Sequence, residues 1–367
     1  MIALCAFVIW KSCDAFQTAS LYLGRNMPAG TRGATINAAG SSFPEFLTGF
    51  IAVFQYTDDS GALFGIFNIV GSYIYNVTII PFAVGAACVI YGKCRDLKAN
   101  AYMIVRDGLF VLFSLAMLML MMSRGVITLT DSILLTMIYV FYVVYILNYP
   151  KKNDKVHPEK HALRNDGRKS LLRAIFDVDL YRLFFRSHKK NSTFASWTVL
   201  AICIAIFYVM CLQLVASSYA LGGLLGIPSF LVAMTITAAA TSVPDTVLSV
   251  KDAKIGKFDD ALTNAIGTNV FNISFCVGFP FLLYSLVYGS DVRVDMSGVG
   301  ILPALSFLLM AVVAAVLLLV RGRWGLKSAV LAAVYAACLW IALPEMQRLQ
   351  SKDESCSKGC SVAGVPD

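Results

Sequence analysis

An internal repeat constrains this 367-residue chain more than any other feature. Residues 35 to 45 read T-I-N-A-A-G-S-S-F-P-E and residues 235 to 245 read T-I-T-A-A-A-T-S-V-P-D, so Thr35, Ile36, Ala38, Ala39, Ser42 and Pro44 recur 200 positions later. A trailing half follows each copy, G-S-Y-I-Y-N from Gly71 to Asn76 and G-T-N-V-F-N from Gly267 to Asn272, at an offset of 196 because the first copy has four extra residues in its connecting loop. In both copies a hydroxyl pair, a proline and a carboxylate interrupt an apolar stretch. Ionised groups are costly inside a bilayer, so a membrane carboxylate marks function by default, and a pair at equivalent repeat positions strengthens the reading.

The setting is a membrane. Hydrophobic residues make up 58% of the chain and charged ones 14%, against about 25% charged in soluble globular domains. The formal charge of +8 would point to nucleic acid in a soluble protein, but here the basic residues are placed as membrane insertion places them, and nucleic-acid binding is excluded. Of ten cysteines, Cys5, Cys13, Cys88, Cys94, Cys203, Cys211, Cys276 and Cys338 lie in or beside apolar stretches, where a thiol behaves as a small hydrophobe. They imply no disulfide framework. Cys356 and Cys360 sit in a polar tail and could pair only in an oxidising compartment.

Apolar runs long enough to cross a bilayer, about 20 residues each, fall near 2–23, 33–54, 64–90, 104–122, 128–148, 197–221, 228–250, 259–288, 299–320 and 327–344. Lys11 and Asp14 make the first the weakest, and their i, i+3 spacing suggests mutual neutralisation. That span lacks the basic start and cleavage site of a signal peptide and reads as a retained helix. Connections after the odd-numbered spans hold Arg25, Arg32, Lys93, Arg95, Lys98, Lys251, Lys254, Lys257, Arg321, Arg323 and Lys327, whereas those after the even spans hold only Arg124 and Arg293. Lys and Arg mark the cytoplasmic side, which puts both termini outside the cytoplasm and sends the two repeats into the membrane in opposite senses.

The fold class expected is therefore an all-α membrane protein of about ten transmembrane helices in two inverted five-helix repeats, the architecture of secondary transporters. The first half spans 1–148 with its repeat at about 33–90, and the second spans 197–347 with its repeat at about 230–288. A basic cytoplasmic loop, 149–196, joins them, and an extracytoplasmic tail, 348–367, follows. The loop carries twelve Lys or Arg against five Asp or Glu. Residues 171–186 within it fit an amphipathic helix on anionic lipid and equally a solvated basic connector. Asn191-Ser192-Thr193 has the form of a glycosylation acceptor but falls on the cytoplasmic side.

The repeats carry the chemistry. A proline inside a helix frees the carbonyl four residues earlier, so Pro44 frees that of Gly40 and Pro244 that of Ala240. A free carbonyl at membrane depth needs protein, water or an ion. Around each the sequence adds oxygen: Ser41, Ser42 and Glu45 in the first copy, and Thr241, Ser242 and Asp245 in the second. The trailing halves add Ser72 with Asn76 and Thr268 with Asn272, each pair on one helix face. Carboxylates, carbonyls and hydroxyls suit hard cations such as Ca²⁺ and Na⁺, and no His or Cys cluster points to zinc or copper. Glu45 and Asp245 supply two negative charges, enough to neutralise one divalent ion. Ser, Thr and Asn in membrane helices commonly serve packing, so the carboxylates bear most of the argument.

A-A-G-S-S-F-P-E with G-S-Y-I-Y-N, and A-A-A-T-S-V-P-D with G-T-N-V-F-N, resemble the paired alpha repeats of the calcium/cation antiporter superfamily. Within it they look most like the sodium/calcium exchangers, including the potassium-dependent branch. The resemblance implies Na⁺/Ca²⁺ exchange driven by the sodium gradient, with Ca²⁺ and Na⁺ as transported ions and no cofactor. It implies Glu45 and Asp245 as central ligands, completed by Ser41, Ser42, Thr241, Ser242, Ser72, Asn76, Thr268 and the Gly40 and Ala240 carbonyls. Potassium-dependent members carry aspartate where Asn272 stands, so K⁺ cotransport is not expected. The central loop is too short for the large calcium-sensing domains of some relatives. A chain of this kind works in the lipid bilayer, of the plasma membrane or of an intracellular calcium store, with no obligate protein partner expected. An H⁺-coupled or K⁺-dependent exchanger and a non-transporting scaffold are the alternatives; no nucleophile or phosphate-loop constellation suggests an enzyme.

Overall fold

The computed structural model describes residues 1–23, 38–56, 59–91, 101–148, 193–254, 258–294, 326–327, 329–338 and 340. In chain order these form α1 (Ile2–Leu23), α2 (Ala38–Ser41), α3 (Phe43–Gln55), α4 (Asp59–Ile90), α5 (Ala101–Ser123), β1 (Val126–Ile127), α6 (Leu129–Asn148) and α7 (Thr193–Leu225). They continue as α8 (Ser229–Val232), a π-helical turn π1 (Ala233–Thr237), α9 (Ala238–Thr241), α10 (Val243–Lys254), α11 (Phe258–Val270), a second π-helical stretch π2 (Phe271–Cys276), α12 (Val277–Tyr288) and β2 (Val292–Arg293). A short apolar helix, α13 (Ala329–Cys338), ends the described chain but for residue 340.

Six described helical runs are long and apolar enough to cross a membrane: Ser60–Ile90, Ile104–Ser123, Leu129–Asn148, Thr193–Leu225, Ser229–Lys254 and Asn264–Tyr288. They coincide with the third to eighth spans expected from sequence. The first span forms the 22-residue α1. The second and tenth are represented by the shorter Phe43–Gln55 and Ala329–Cys338, and the ninth, 299–320, lies outside the described residues. So do most of the basic loop, with its candidate amphipathic segment, and the tail with Cys356 and Cys360.

Some helices outrun their apolar cores. The sequence places a span at 197–221, yet α7 has 33 residues, about 50 Å of helix against a hydrocarbon layer of roughly 30 Å. Hydropathy marks only the lipid-matched part, whereas the backbone continues until something stops it. Here Gly226, at φ 65°, supplies the left-handed residue that ends α7. Helices of this length tilt or run past the headgroups. A two-stranded antiparallel pair, Val126 with Arg293 and Ile127 with Val292, ties the α5–α6 turn to the segment after α12.

Both repeats break at the second hydroxyl of their motif. α2 gives way to α3 at Ser42, with φ −97° and ψ 11°, and α9 gives way to α10 at Ser242, with φ −84° and ψ 0°. This refines the expectation of a kink inside a continuous helix. Pro44 lies in the first turn of α3 and Pro244 in the first turn of α10, where a missing N–H costs nothing and the fixed φ favours helix initiation. Glu45 and Asp245 consequently fall in the first turns of half-helices, whose dipoles present positive ends to carboxylates.

Two apolar cores hold the breaks in place. α1 packs chiefly on α7, and Cys5, Ile9, Cys13 and Phe16 interlock with Cys203, Phe207, Cys211 and Leu214 while Leu47 and Ile51 of α3 close the cluster. The second core joins α4, α5, α6, α11 and α12 around residues such as Phe67, Tyr73, Leu115, Tyr142, Ile266 and Phe281. Asp14, expected to pair with Lys11, binds Lys251 of α10 at 2.5 Å, linking α1 to the second repeat. The Lys11 ammonium lies over the rings of Trp10 and Phe7.

Gly71 lets the repeats touch. A Cβ there would run into the Met234 carbonyl and lie 2.7 Å from the Ala238 methyl, so α4 and the π1–α9 segment meet backbone to backbone. Gly223 of α7 has open space around its Cβ position. Gly71→Ala should therefore destabilise the protein by about 1–3 kcal/mol, read as a lower unfolding temperature in detergent. Gly223→Ala should cause no loss.

Candidate functional site

Five helix segments deliver the motif residues to one buried place. α3 brings Glu45, α10 brings Asp245, the α2 and α9 ends bring Ser41, Ser42, Thr241 and Ser242, and α4 brings Ser72 and Asn76. Every one of these side chains is at 0% exposure. The repeats engage each other directly: Ser242 Oγ donates to Glu45 Oε1 at 3.2 Å. Ser72 Oγ lies 3.4 Å from Thr241 Oγ1 and 3.5 Å from the Ala238 carbonyl. Ser41, Asn76 and Ser42 face the Asp245 carboxylate, beyond strict hydrogen-bond geometry from it, and Glu45 lies within its electrostatic reach.

The site holds several buried polar atoms without partners, most of them oxygens, with the Asn272 amide nitrogen among them. Among the described residues, Glu45 Oε2, both Asp245 carboxylate oxygens, Ser42 Oγ, Asn76 Oδ1 and Thr268 Oγ1 are buried without a hydrogen-bond partner. Protein interiors rarely tolerate such a group, and several together define a place built for a species that satisfies oxygens. Two carboxylates surrounded by hydroxyl and amide oxygens can hold a hard cation. No set of three His, Cys, Asp or Glu side chains arranged for a metal occurs among the described residues, so neutral oxygens would have to complete any coordination sphere here.

The other expected positions sit at varying distance from this centre. The Gly40 carbonyl has Cys13 Sγ at 3.8 Å, a thiol contact too weak to use up that oxygen. Ala240 is buried in α9, at 7% exposure. Thr268 and Asn272 are fully buried on α11 and π2, and Asn272 Oδ1 lies 3.8 Å from Cys276 Sγ. Their link to the first repeat runs through a neighbour that the motif comparison passes over. Asn76 Nδ2 donates to Asn269 Oδ1 at 3.3 Å, and Asn269 in turn donates to the Ala265 carbonyl at 3.1 Å. The counterpart of Asn269 in the first copy is Tyr73, so a search for matching polar positions discards it. π-helical turns, often found at functional sites, widen the second repeat on both sides of the centre, at 233–237 and 271–276.

A third buried acid lies outside the repeats. Asp107 opens the fourth span and is 1% exposed. Its Oδ1 accepts from Arg106 Nε at 2.7 Å and from the Tyr142 hydroxyl at 3.2 Å. A Cβ on Gly267 would touch the Tyr142 hydroxyl at 3.0 Å, so this ion pair abuts the trailing half of the second repeat. An Arg-Asp dipeptide at the edge of an apolar span was the available signal. By contrast, the 440 Å³ groove between α5 and α6, lined by Leu109, Phe113, Met137 and Phe141, is apolar and separate from the oxygen cluster.

The fold and site together define a multi-pass all-α membrane protein with repeated motifs converging on buried carboxylates. The sodium/calcium exchanger protein family model matches residues 1–148 and 195–343. The chain belongs to that family, whose members are transporters rather than enzymes. Sodium/potassium/calcium exchanger 3 of Rattus norvegicus is 40% identical over 121 residues, which are 31% of this chain and 18% of that protein. The structure resembles that of the H⁺/Ca²⁺ exchanger CAX, with a TM-score of 0.61, 14% identity and coverage of 96% and 88% of the two chains. It also resembles the sodium-calcium exchanger NCX_Mj, with a TM-score of 0.55, 18% identity and coverage of 92% and 95%. At these identities the structural likeness speaks to the fold.

The Asp107 ion pair yields a test of its own. Asp107→Ala should cost about 1–3 kcal/mol of stability, because Tyr142 and the Arg106 guanidinium lose a buried acceptor. Asp107→Asn, which keeps an acceptor oxygen, should recover part of the loss in the same thermal-unfolding assay.

Proposed function

We propose that this chain is a secondary active antiporter that exchanges Na⁺ for Ca²⁺ by alternating access, without K⁺ cotransport. One observation bears most of this reading: Glu45 and Asp245, from different repeats, lie fully buried in one cluster among unpartnered oxygens. Two like charges placed together in a membrane demand a counter-ion. One Ca²⁺ neutralises both, and Na⁺ ions compete for the same oxygens. The ligands in this reading are Glu45 and Asp245 with Ser41, Ser42, Ser72, Asn76, Thr241, Ser242, Thr268, Asn272 and the Gly40 and Ala240 carbonyls.

The full architecture is ten spans in two inverted halves, with both termini outside the cytoplasm and the site near the midplane. Ion occupancy lowers the cost of bringing the carboxylates together, so the loaded pocket passes between faces and the empty one does not. Exchange of unequal charge makes transport electrogenic. Relatives named for potassium do not settle the coupling, because Asn272 is neutral and the pocket holds two formal charges, matched by Ca²⁺ alone. The protein functions in the bilayer without a resident cofactor.

The test is ⁴⁵Ca²⁺ uptake into proteoliposomes preloaded with Na⁺. Uptake should require the outward Na⁺ gradient, be the same with and without K⁺, and fall on the order of a hundredfold in Glu45→Gln or Asp245→Asn, since even outer-shell partners of metal ligands contribute 10–100-fold. Uptake driven by a pH gradient instead would assign H⁺ coupling, a K⁺ requirement would overturn the argument from Asn272, and wild-type rates in both variants would refute the site.

A further inference from the structure

The trailing helix of each repeat carries one more matched polar position than the motif itself. Asn68 stands four residues before Ser72 and Asn264 four residues before Thr268, again 196 positions apart. That spacing lines Asn68, Ser72 and Asn76 along one side of α4, and Asn264 with Thr268 along one side of α11. Both amides are buried, Asn68 at 0% and Asn264 at 8% exposure.

Their surroundings differ in one respect. Asn264 Nδ2 donates at 3.2 Å to Ser249 Oγ, which lies one turn after Asp245 on α10. The residue 200 positions before Ser249 is Gly49, one turn after Glu45 on α3. Gly49 has no hydroxyl to offer. α3 and α4 touch there, since a Cβ on Gly65 would lie 3.5 Å from the Gly49 carbonyl oxygen and 3.6 Å from its Cα, and Asn68 is the next residue on that side of α4. Both amide atoms of Asn68 are left without a hydrogen-bond partner, and so is Asn264 Oδ1. A buried primary amide with neither end engaged is costly and calls for an explanation.

We propose that Asn68 forms a subsite for a monovalent alkali cation, with its amide oxygen as a ligand, one turn from Glu45 toward the Gln55 end of α3. Four residues of helix rise about 6 Å, which places the subsite beside the central cluster rather than within it. Amide oxygen suits hard cations. The absence of further negative charge at Gly49 and Asn68 favours a singly charged ion, because a divalent one gains more from the two carboxylates. In the second repeat Ser249 holds the equivalent amide by its nitrogen, so the two ends of the site differ in how freely the amide turns toward an ion. The inference rests on reading the Glu45–Asp245 cluster as a cation site.

Thermal unfolding of the purified full-length chain, titrated with NaCl, KCl or CaCl₂ at constant ionic strength, tests it. Asn68→Ala should raise the half-saturating concentration of Na⁺ or of K⁺ about tenfold, the loss expected for one contact to a charged group, and shift Ca²⁺ by less than about twofold on the same grounds. Whichever monovalent ion responds identifies the occupant. Asn68→Asp, of the same shape, guards against simple misfolding and should tighten Ca²⁺ relative to the monovalent ion. Unchanged Na⁺ and K⁺ titrations in both variants, with the Ca²⁺ response intact and abolished by Glu45→Gln, would overturn the subsite alone. A Ca²⁺ response absent from the wild type, or the same in Glu45→Gln, would remove the central site and this subsite with it.

Discussion

The confinement of two carboxylates in one water-poor place is the constraint on which the rest of the structure depends. Glu45 and Asp245 come from segments 200 residues apart, and among the described residues no Arg or Lys forms an ion pair with either. Several features of the fold lower the cost of that arrangement. Each acid lies in the first turn of a half-helix, where exposed N–H groups and the helix dipole favour negative charge. Each break falls at a serine, and Ser242 spends its hydroxyl on Glu45. Gly71 removes the side chain that would hold the two repeats apart. What remains is a cluster of buried polar atoms without partners, the two carboxylates at its centre.

The two apolar cores divide the labour. The core around α4, α5, α6, α11 and α12 fixes the trailing halves of the repeats, and its aromatic side chains make a rigid surround. The α1–α7 pair packs against α3 through Phe16, Phe207 and Phe43 together with aliphatic side chains and thiols, and α1 is tied to α10 by the half-exposed Asp14–Lys251 ion pair. Surface ion pairs contribute little stability and exchange readily with water. α1 is therefore held to α10 by a weaker contact than those that lock α4 to π1 and α9.

Much of this could be read from the residues, for physical reasons that also explain what was missed. Carboxylates in apolar runs are rare enough to stand out, and their recurrence with Pro44 and Pro244 pointed to the centre directly. Span lengths were less legible, since hydropathy reports lipid contact while helices such as α7 end at backbone signals like Gly226. Breaks rather than kinks at Ser42 and Ser242 turn on where the helix restarts relative to Pro44 and Pro244, since the same proline kinks a helix interior and initiates a first turn. Asn269 escaped because its counterpart Tyr73 is aromatic, and Asp107 because it lies outside both repeats, where no matching copy singles it out. Comparing repeats finds what symmetry preserves and is blind to what one half does alone.

Those asymmetries bear on function as much as the symmetry does. A protein built from two identical inverted halves would have its two access states related by exchange of the halves, with equal intrinsic energies and equal ion affinities at the two faces. Here π-helical turns occur in the second repeat at 233–237 and 271–276, while the described helices of the first repeat carry none. Ser249 binds Asn264 where Gly49 leaves Asn68 alone. Tyr73 faces apolar neighbours where Asn269 reaches across to Asn76. Each difference removes the equivalence of the two halves around the buried carboxylates. Ligands shift a conformational equilibrium only through unequal affinity for its states, and departures from symmetry around the buried carboxylates are the places where such inequality can arise.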